Sequence, residues 1–193
     1  SQGRALWDRL LEAGDPHGIT PYGTEALHIM RAEKGFIMIG DETDGTVIPQ
    51  DLGLNWAISK KKEDFLGKRA QQRDHMQDAL RWKLVGLETL DGSVLPDGAY
   101  AVDTHLDKAA NSAEYAPGKE AATNDNGQIA TCGRVTSTYH SPTLGRGIAM
   151  GLVERGPDRM GEVLSFARTD GSVIEARIVS PVFYDPDGEK QNV

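Results

Sequence analysis

The sequence predicts an α+β protein: a small α/β piece followed by an antiparallel β lobe, either a barrel or a sandwich. Three observations predict it. Helical periodicity is confined to the first third of the chain, where Leu6, Trp7, Leu10 and Leu11, then Ala26, Leu27, Ile29 and Met30, fall on single faces. A very polar stretch over 71–78 marks a linker, after which the character changes. Beyond Arg81, short strand-like runs recur with turn pairs such as Asp91-Gly92 and Asp170-Gly171 between them. The chain has no internal repeat.

The first helix should stop at Gly14, just before Asp15-Pro16. The second begins near residues 20–23 and runs to about Glu33, with Gly35 suited to its C-terminal cap. Phe36-Ile37-Met38-Ile39 is too short for a helix and reads as a buried strand. Residues 40–51 read as a polar, turn-rich loop, and a short helix is expected around 63–70. In the β lobe, 82–88 is a strand and Asp91-Gly92 a hairpin turn, with 94–102 as the returning arm, interrupted by Pro96 and Gly98. Residues 103–127 are polar, with Asn, Asp and Gly, and are expected to form a long excursion. Strands are then expected at 129–138, 147–153, 162–167 and 173–179. This divides the chain into regions 1–78 and 79–193.

Composition narrows the function. With 38% hydrophobic and 26% charged residues the chain is an ordinary globular sequence, so general disorder is excluded. A net charge of −8 argues against nucleic acid, which needs a basic face to displace phosphate counterions. A lone cysteine, Cys132, permits neither an intrachain disulfide nor a cysteine-based zinc site, and a cytoplasmic setting is expected. No apolar run nears the roughly 20 residues of a bilayer span, so no membrane partner is expected. The absence of an initiator Met suggests an excised piece of a longer chain.

Chemical constellations are few. Cys132, His140 and Ser141 invite a nucleophile reading, but Tyr-His-Ser-Pro-Thr is not a nucleophile elbow, and structural roles are expected. Asp41-Glu42-Thr43-Asp44-Gly45 lacks the alternating ligands of a calcium loop and reads as a solvated turn. The five histidines are scattered, so no metal site is expected. Lys60-Lys61-Lys62 is either a solvated edge or a guide for an anionic tail. Glu33 stands at a helix C-terminus, where the macrodipole disfavours a carboxylate. Two readings stay open for it: exposed, or held inward to accept N–H donors from a heterocycle.

The order of motifs resembles the glycine-cleavage T-protein family of aminomethyltransferases. Arg31-Ala32-Glu33-Lys34-Gly35 resembles its R-L-E-A-G helix end, and the loop from Gly40 to Thr46 with Pro49 resembles G-N-D-x-D-E-x-T-x-P. Leu52-Gly53-Leu54-Asn55-Trp56 is similar to G-L-x-W, and Phe65-Leu66-Gly67-Lys68 to F-I-G-K. Leu84-Val85-Gly86-Leu87, Gly133-Arg134-Val135-Thr136-Ser137, Ser141-Pro142-Thr143-Leu144-Gly145 and Pro181-Val182-Phe183-Tyr184-Asp185-Pro186 resemble the family's barrel. Within the superfamily, Glu25-Ala26-Leu27 and Ser59-Lys60-Lys61-Lys62 look like the alpha subunits of heterotetrameric sarcosine oxidase.

The resemblance implies the C-terminal half of an aminomethyltransferase-like folate-binding fold. There, tetrahydrofolate captures the one-carbon unit of oxidised sarcosine as 5,10-methylenetetrahydrofolate. It implies folate as ligand, with flavin and NAD held only by other parts of the parent complex. It implies as partners the rest of the alpha subunit and the other oxidase subunits. Glu33 takes the family position facing the pterin. Arg81 or Lys83 takes that of the base meeting the folate carboxylate, and Trp56 is either a cavity wall or a plain core residue. Family members carry their catalytic aspartate and a G-Y-T-G-E motif in sequence ahead of the part matched here, so no catalytic residue is expected in this chain. A free-standing T-protein and a non-catalytic subunit-contact module are the alternatives.

Overall fold

A computed structural model describes residues 2–102, 131–167 and 173–191. Helix α1 (Gln2–Gly14) and helix α2 (Thr24–Glu33) lead into an irregular segment with 3-10 turns at Pro49–Leu52 and Asn55–Ala57 and a short helix α3 (Lys68–Gln71). Six strands follow: β1 (Trp82–Thr89), β2 (Tyr100–Val102), β3 (Thr131–Ser141), β4 (Arg146–Glu154), β5 (Val163–Ala167) and β6 (Val173–Val179). They form a closed antiparallel barrel in the order β1-β4-β3-β2-β5-β6. The β6–β1 pairing, Gly86 opposite Val179, closes it. The barrel rather than the sandwich is therefore the architecture, and closure leaves no free sheet edge.

Strand alternation builds two cores. Val85 and Leu87 point into the barrel with Cys132, Val135, Val153, Phe166 and Ile178. Leu84 and Trp82 point outward with Ile148, Met150 and Leu152, against Ala32, Leu52 and Phe183. Strand β4 is covered on both faces, which is why its sequence is a near-continuous apolar run. The closing segment holds the N-terminal piece on the barrel: the Phe183 and Tyr184 N–H groups both donate to the Glu33 carbonyl at 2.9 Å. Gly35, at φ +74°, lets the chain turn there, and a Cβ would stand 2.6 Å from the Pro181 carbonyl oxygen.

Three expectations are corrected. Residues 36–39 form no strand: Phe36 is 62% and Ile39 84% exposed, and only an isolated Ile39–Thr43 bridge occurs. The Asp91-Gly92 turn exists, but its returning arm does not pair with β1. Both edges of β1 are taken by β4 and β6, so β2 pairs with β3 and β5 instead. The helix expected around 63–70 shrinks to α3. The excursion at 103–127 and the Asp170-Gly171 turn lie outside the described residues. Helix α1 has the expected apolar side, yet none of its residues is buried.

Candidate functional site

The last turn of α2 delivers three consecutive buried residues, Arg31, Ala32 and Glu33, to the outer face of β3 and β4. Ala32 packs flat, which leaves the two charged neighbours to find polar partners. The Glu33 carboxylate accepts the Ser141 hydroxyl at 2.6 Å through Oε1, and among the described residues Oε2 accepts no hydrogen bond. A carboxylate is tolerable at this helix end because the Glu33 carbonyl is already satisfied by two N–H groups of the closing segment.

Arg31 runs the other way into a buried polar cluster. Its guanidinium donates to Glu42 at 2.7 Å, Asp41 at 2.9 Å and the Tyr139 hydroxyl at 3.1 Å, and it lies 5.6 Å from the Tyr139 ring centroid. Glu42 is fully buried and also accepts the Met38 N–H at 2.8 Å, Ser137 at 2.7 Å and Thr136 at 3.0 Å. Adjacent residues of a regular strand point to opposite faces, so Thr136 and Ser137 should not share one acceptor. A β-bulge between Val135 and Ser137 shifts the register against β4 and lets both reach Glu42. The acidic loop is thus not merely a solvated turn. Glu42 is an internal counter-ion, while Asp44 stays at the surface against Arg134 at 2.8 Å.

A second polar centre sits where the chain enters the barrel. Arg81 donates to both carboxylate oxygens of Asp51 from Nε, at 3.0 and 3.1 Å, to the Thr46 carbonyl at 2.7 Å and to the His75 carbonyl at 3.1 Å. Asp51 is buried. Its hydrogen bonds hold the Arg81 guanidinium charged above the ordinary arginine value, against the opposing effect of burial. Beside this pair opens a cleft of about 370 Å³ lined by Arg81, Asp51, Asp44, Arg134, Trp82 and Tyr100, among others. The Thr46 hydroxyl and N–H, with Arg134 behind them, hold the Asp44 carboxyl below the usual aspartate range.

Of the four residues the resemblance singles out, Arg81 alone lines this cleft. Glu33 belongs to the α2–β3 seam, and Lys83 is half-buried on β1 opposite Val153. Trp56 is 80% exposed on a 3-10 turn. The Lys83 side chain makes no hydrogen bond or ion pair among the described residues, whereas all three Arg81 side-chain nitrogens donate to protein. Sequence reasoning missed the Arg31–Glu42 and Arg81–Asp51 pairs and the partner of Ser141. His140 is exposed and Cys132 lies in the barrel core. Among the described residues no group of three or more His, Cys, Asp or Glu is placed to hold a metal ion.

Residues 83–185 match the family described as the glycine cleavage T-protein C-terminal barrel domain, and residues 1–62 match the GCVT N-terminal domain. The chain belongs to the glycine cleavage T-protein family. Within it, sarcosine oxidase subunit alpha from Corynebacterium sp. (strain P-1) is 41% identical over 98% of the chain. The same subunit from Rhizobium meliloti is 39% identical over 99%. The chain spans about 18% of the length of either relative. The aminomethyltransferase of Halothermothrix orenii is 32% identical over 83% of the chain and 38% of its own length. The crystal structure of glycine cleavage system aminomethyltransferase T from Bartonella henselae shares the fold, with a TM-score of 0.69 at 24% identity over 93% of the chain and 43% of that protein.

Proposed function

We propose that the chain forms one wall of a tetrahydrofolate site in a sarcosine oxidase alpha subunit, where the one-carbon unit of oxidised sarcosine becomes 5,10-methylenetetrahydrofolate. The observation that carries this reading is the similarity pattern. Identity is 39–41% with three such subunits, against 28–32% with the aminomethyltransferases. That margin favours the oxidase setting over a free-standing aminomethyltransferase. Folate brings a nucleophilic ring nitrogen that captures the one-carbon unit. The residues of this chain bind and orient it.

Glu33 suits the pterin edge in part. Oε1 already spends one lone pair on Ser141, and Oε2 is left for a heterocyclic N–H. For the folate carboxylate, Lys83 is the better base, because Arg81 is committed to Asp51, Thr46 and His75. Trp56 offers an exposed ring as a wall. The partners on this reading are the remaining alpha-subunit polypeptide and the other oxidase subunits, in the cytoplasm; among the described residues no helix is long and apolar enough to cross a membrane.

Calorimetric titration of tetrahydrofolate into the full-length protein tests the reading. Glu33→Ala is expected to raise Kd by about tenfold or more, the weight of a hydrogen bond to a charged acceptor. An unchanged Kd removes Glu33 from the site. The 193-residue chain alone is expected to bind folate weakly and to turn nothing over. Micromolar affinity in it would overturn that expectation.

A further inference from the structure

We infer that Ser141 is a positioning residue for Glu33, fixing which carboxylate oxygen the site presents to its ligand. This deepens the folate reading and rests on it for the ligand, though not for the contact itself. A serine hydroxyl has one proton and two lone pairs, and it normally rotates to suit its surroundings. Here it has little freedom. The Leu144 N–H donates into Ser141 Oγ at 3.0 Å, so one lone pair is occupied from the turn side. Glu33 Oε1 lies 2.6 Å away on the other side and can only receive the proton as a carboxylate. Ser141 is fully buried, so no solvent molecule competes for either role.

The frame around the hydroxyl is rigid. Ser141 ends β3 opposite Arg146 of β4, the Gly145 N–H donates to its carbonyl at 2.8 Å, and Pro142 follows. The Glu33 main chain is held independently by the Phe183 and Tyr184 N–H groups. A flexible glutamate is thereby anchored at both ends: its carbonyl on the closing segment, its Oε1 on the barrel. What remains adjustable is the occupancy of Oε2. The sequence Ser141-Pro142-Thr143-Leu144 supplies donor, turn and N–H together. Its place beside Glu33, 108 positions earlier, comes from the fold.

The test has two readouts. In the folate-free chain, the Glu33 carboxyl carbon resonance is expected to move on Ser141→Ala and to move less on Ser141→Cys, which keeps a weaker donor of similar size. An unmoved resonance in both variants overturns the proposal regardless of folate. In the full-length protein, Ser141→Ala is expected to raise the tetrahydrofolate Kd about tenfold, but less than about twofold once Glu33→Gln is present. Equal losses in both backgrounds would show that Ser141 does not act through Glu33, and would overturn its positioning role. A moved resonance together with an unchanged Kd for Glu33→Gln would instead remove Glu33 from the folate site, overturn the ligand-positioning role of Ser141 and leave the contact standing. Should Ser141→Ala fail to fold, the Cys variant carries both measurements.

Discussion

Replacing Glu42 by Ala should be among the most costly single changes outside the barrel core. The carboxylate is fully buried and serves Arg31, the Met38 N–H, Thr136 and Ser137 at 2.7–3.0 Å. Removing one member of a buried ion pair costs about 3–5 kcal/mol, because the other charge is left uncompensated. Two features pull in opposite directions. Arg31 keeps Asp41 at 2.9 Å, and Thr136 keeps the Met150 carbonyl at 3.1 Å, which lowers the loss. The Met38 N–H and the Ser137 hydroxyl lose the acceptor they share, at about 1 kcal/mol or more each. The expected total is about 4 kcal/mol, a large part of the roughly 5–15 kcal/mol that holds a domain together. At about 2–4 °C per kcal/mol for a chain of this size, the midpoint falls by about 10 °C. Urea unfolding with an unchanged slope measures it directly. Glu42→Leu combined with Arg31→Met should recover most of the loss, since an apolar pair leaves no orphaned charge. A loss under about 1 kcal/mol for Glu42→Ala would refute the assignment of Glu42 as the internal counter-ion.

Arg81→Met strands the buried Asp51, whose side chain retains, among the described residues, only the Ile48 N–H at 3.0 Å, and should cost about 3 kcal/mol in urea unfolding. Arg81→Lys keeps the charge but not the fork and should fall between it and the parent chain; equal losses for both would refute the role given to the fork. Asp44 is held below its unfolded value of about 3.9, so its stabilising contribution is complete above that pH and disappears as pH falls through the folded-state value. Carboxyl NMR should place its midpoint below that of an ordinary aspartate, and Thr46→Ala should move it upward, because Thr46 is the largest cause of the shift. A midpoint at the ordinary value in the parent chain would contradict this.

Much of the barrel was legible because strand signals are local. The run at 173–179 coincides with β6, and 82–88 with β1 to within one residue. Pairing is not local, which is why the second arm of the expected β1 hairpin went astray: nothing between Asp91 and Val102 reveals that β4 and β6 fill both edges of β1. The segment 36–39 misled for a related reason. Four apolar residues suggested a buried strand, but their backbone is organised by the Met38 N–H on the Glu42 carboxylate and by turn bonds to the Met38 carbonyl. Glu42 itself read as solvated because its partners lie 11 residues upstream and more than 90 downstream.

The same distance effect bears on Glu33. At the sequence level its two readings, exposed or inward, could not be separated, since propensity describes a helix end without what packs on it. The closing segment removes the electrostatic objection by satisfying the Glu33 carbonyl, and the bulged β3 strand brings hydroxyls to the outer face of the barrel. Two carboxylates on that face then meet different fates. Glu42 is saturated by four donor groups, one of them the Arg31 counter-charge, so its role is structural. Glu33 has one hydroxyl, no cation within ion-pair distance among the described residues, and one oxygen still unbonded. A ligand with N–H groups at that oxygen would form its hydrogen bond in the folded protein alone. Binding there should therefore stabilise the folded protein. An excess of ligand should raise the unfolding midpoint in the parent protein and raise it less in Glu33→Ala, by about 1.4 kcal/mol of stabilisation for a tenfold weaker Kd.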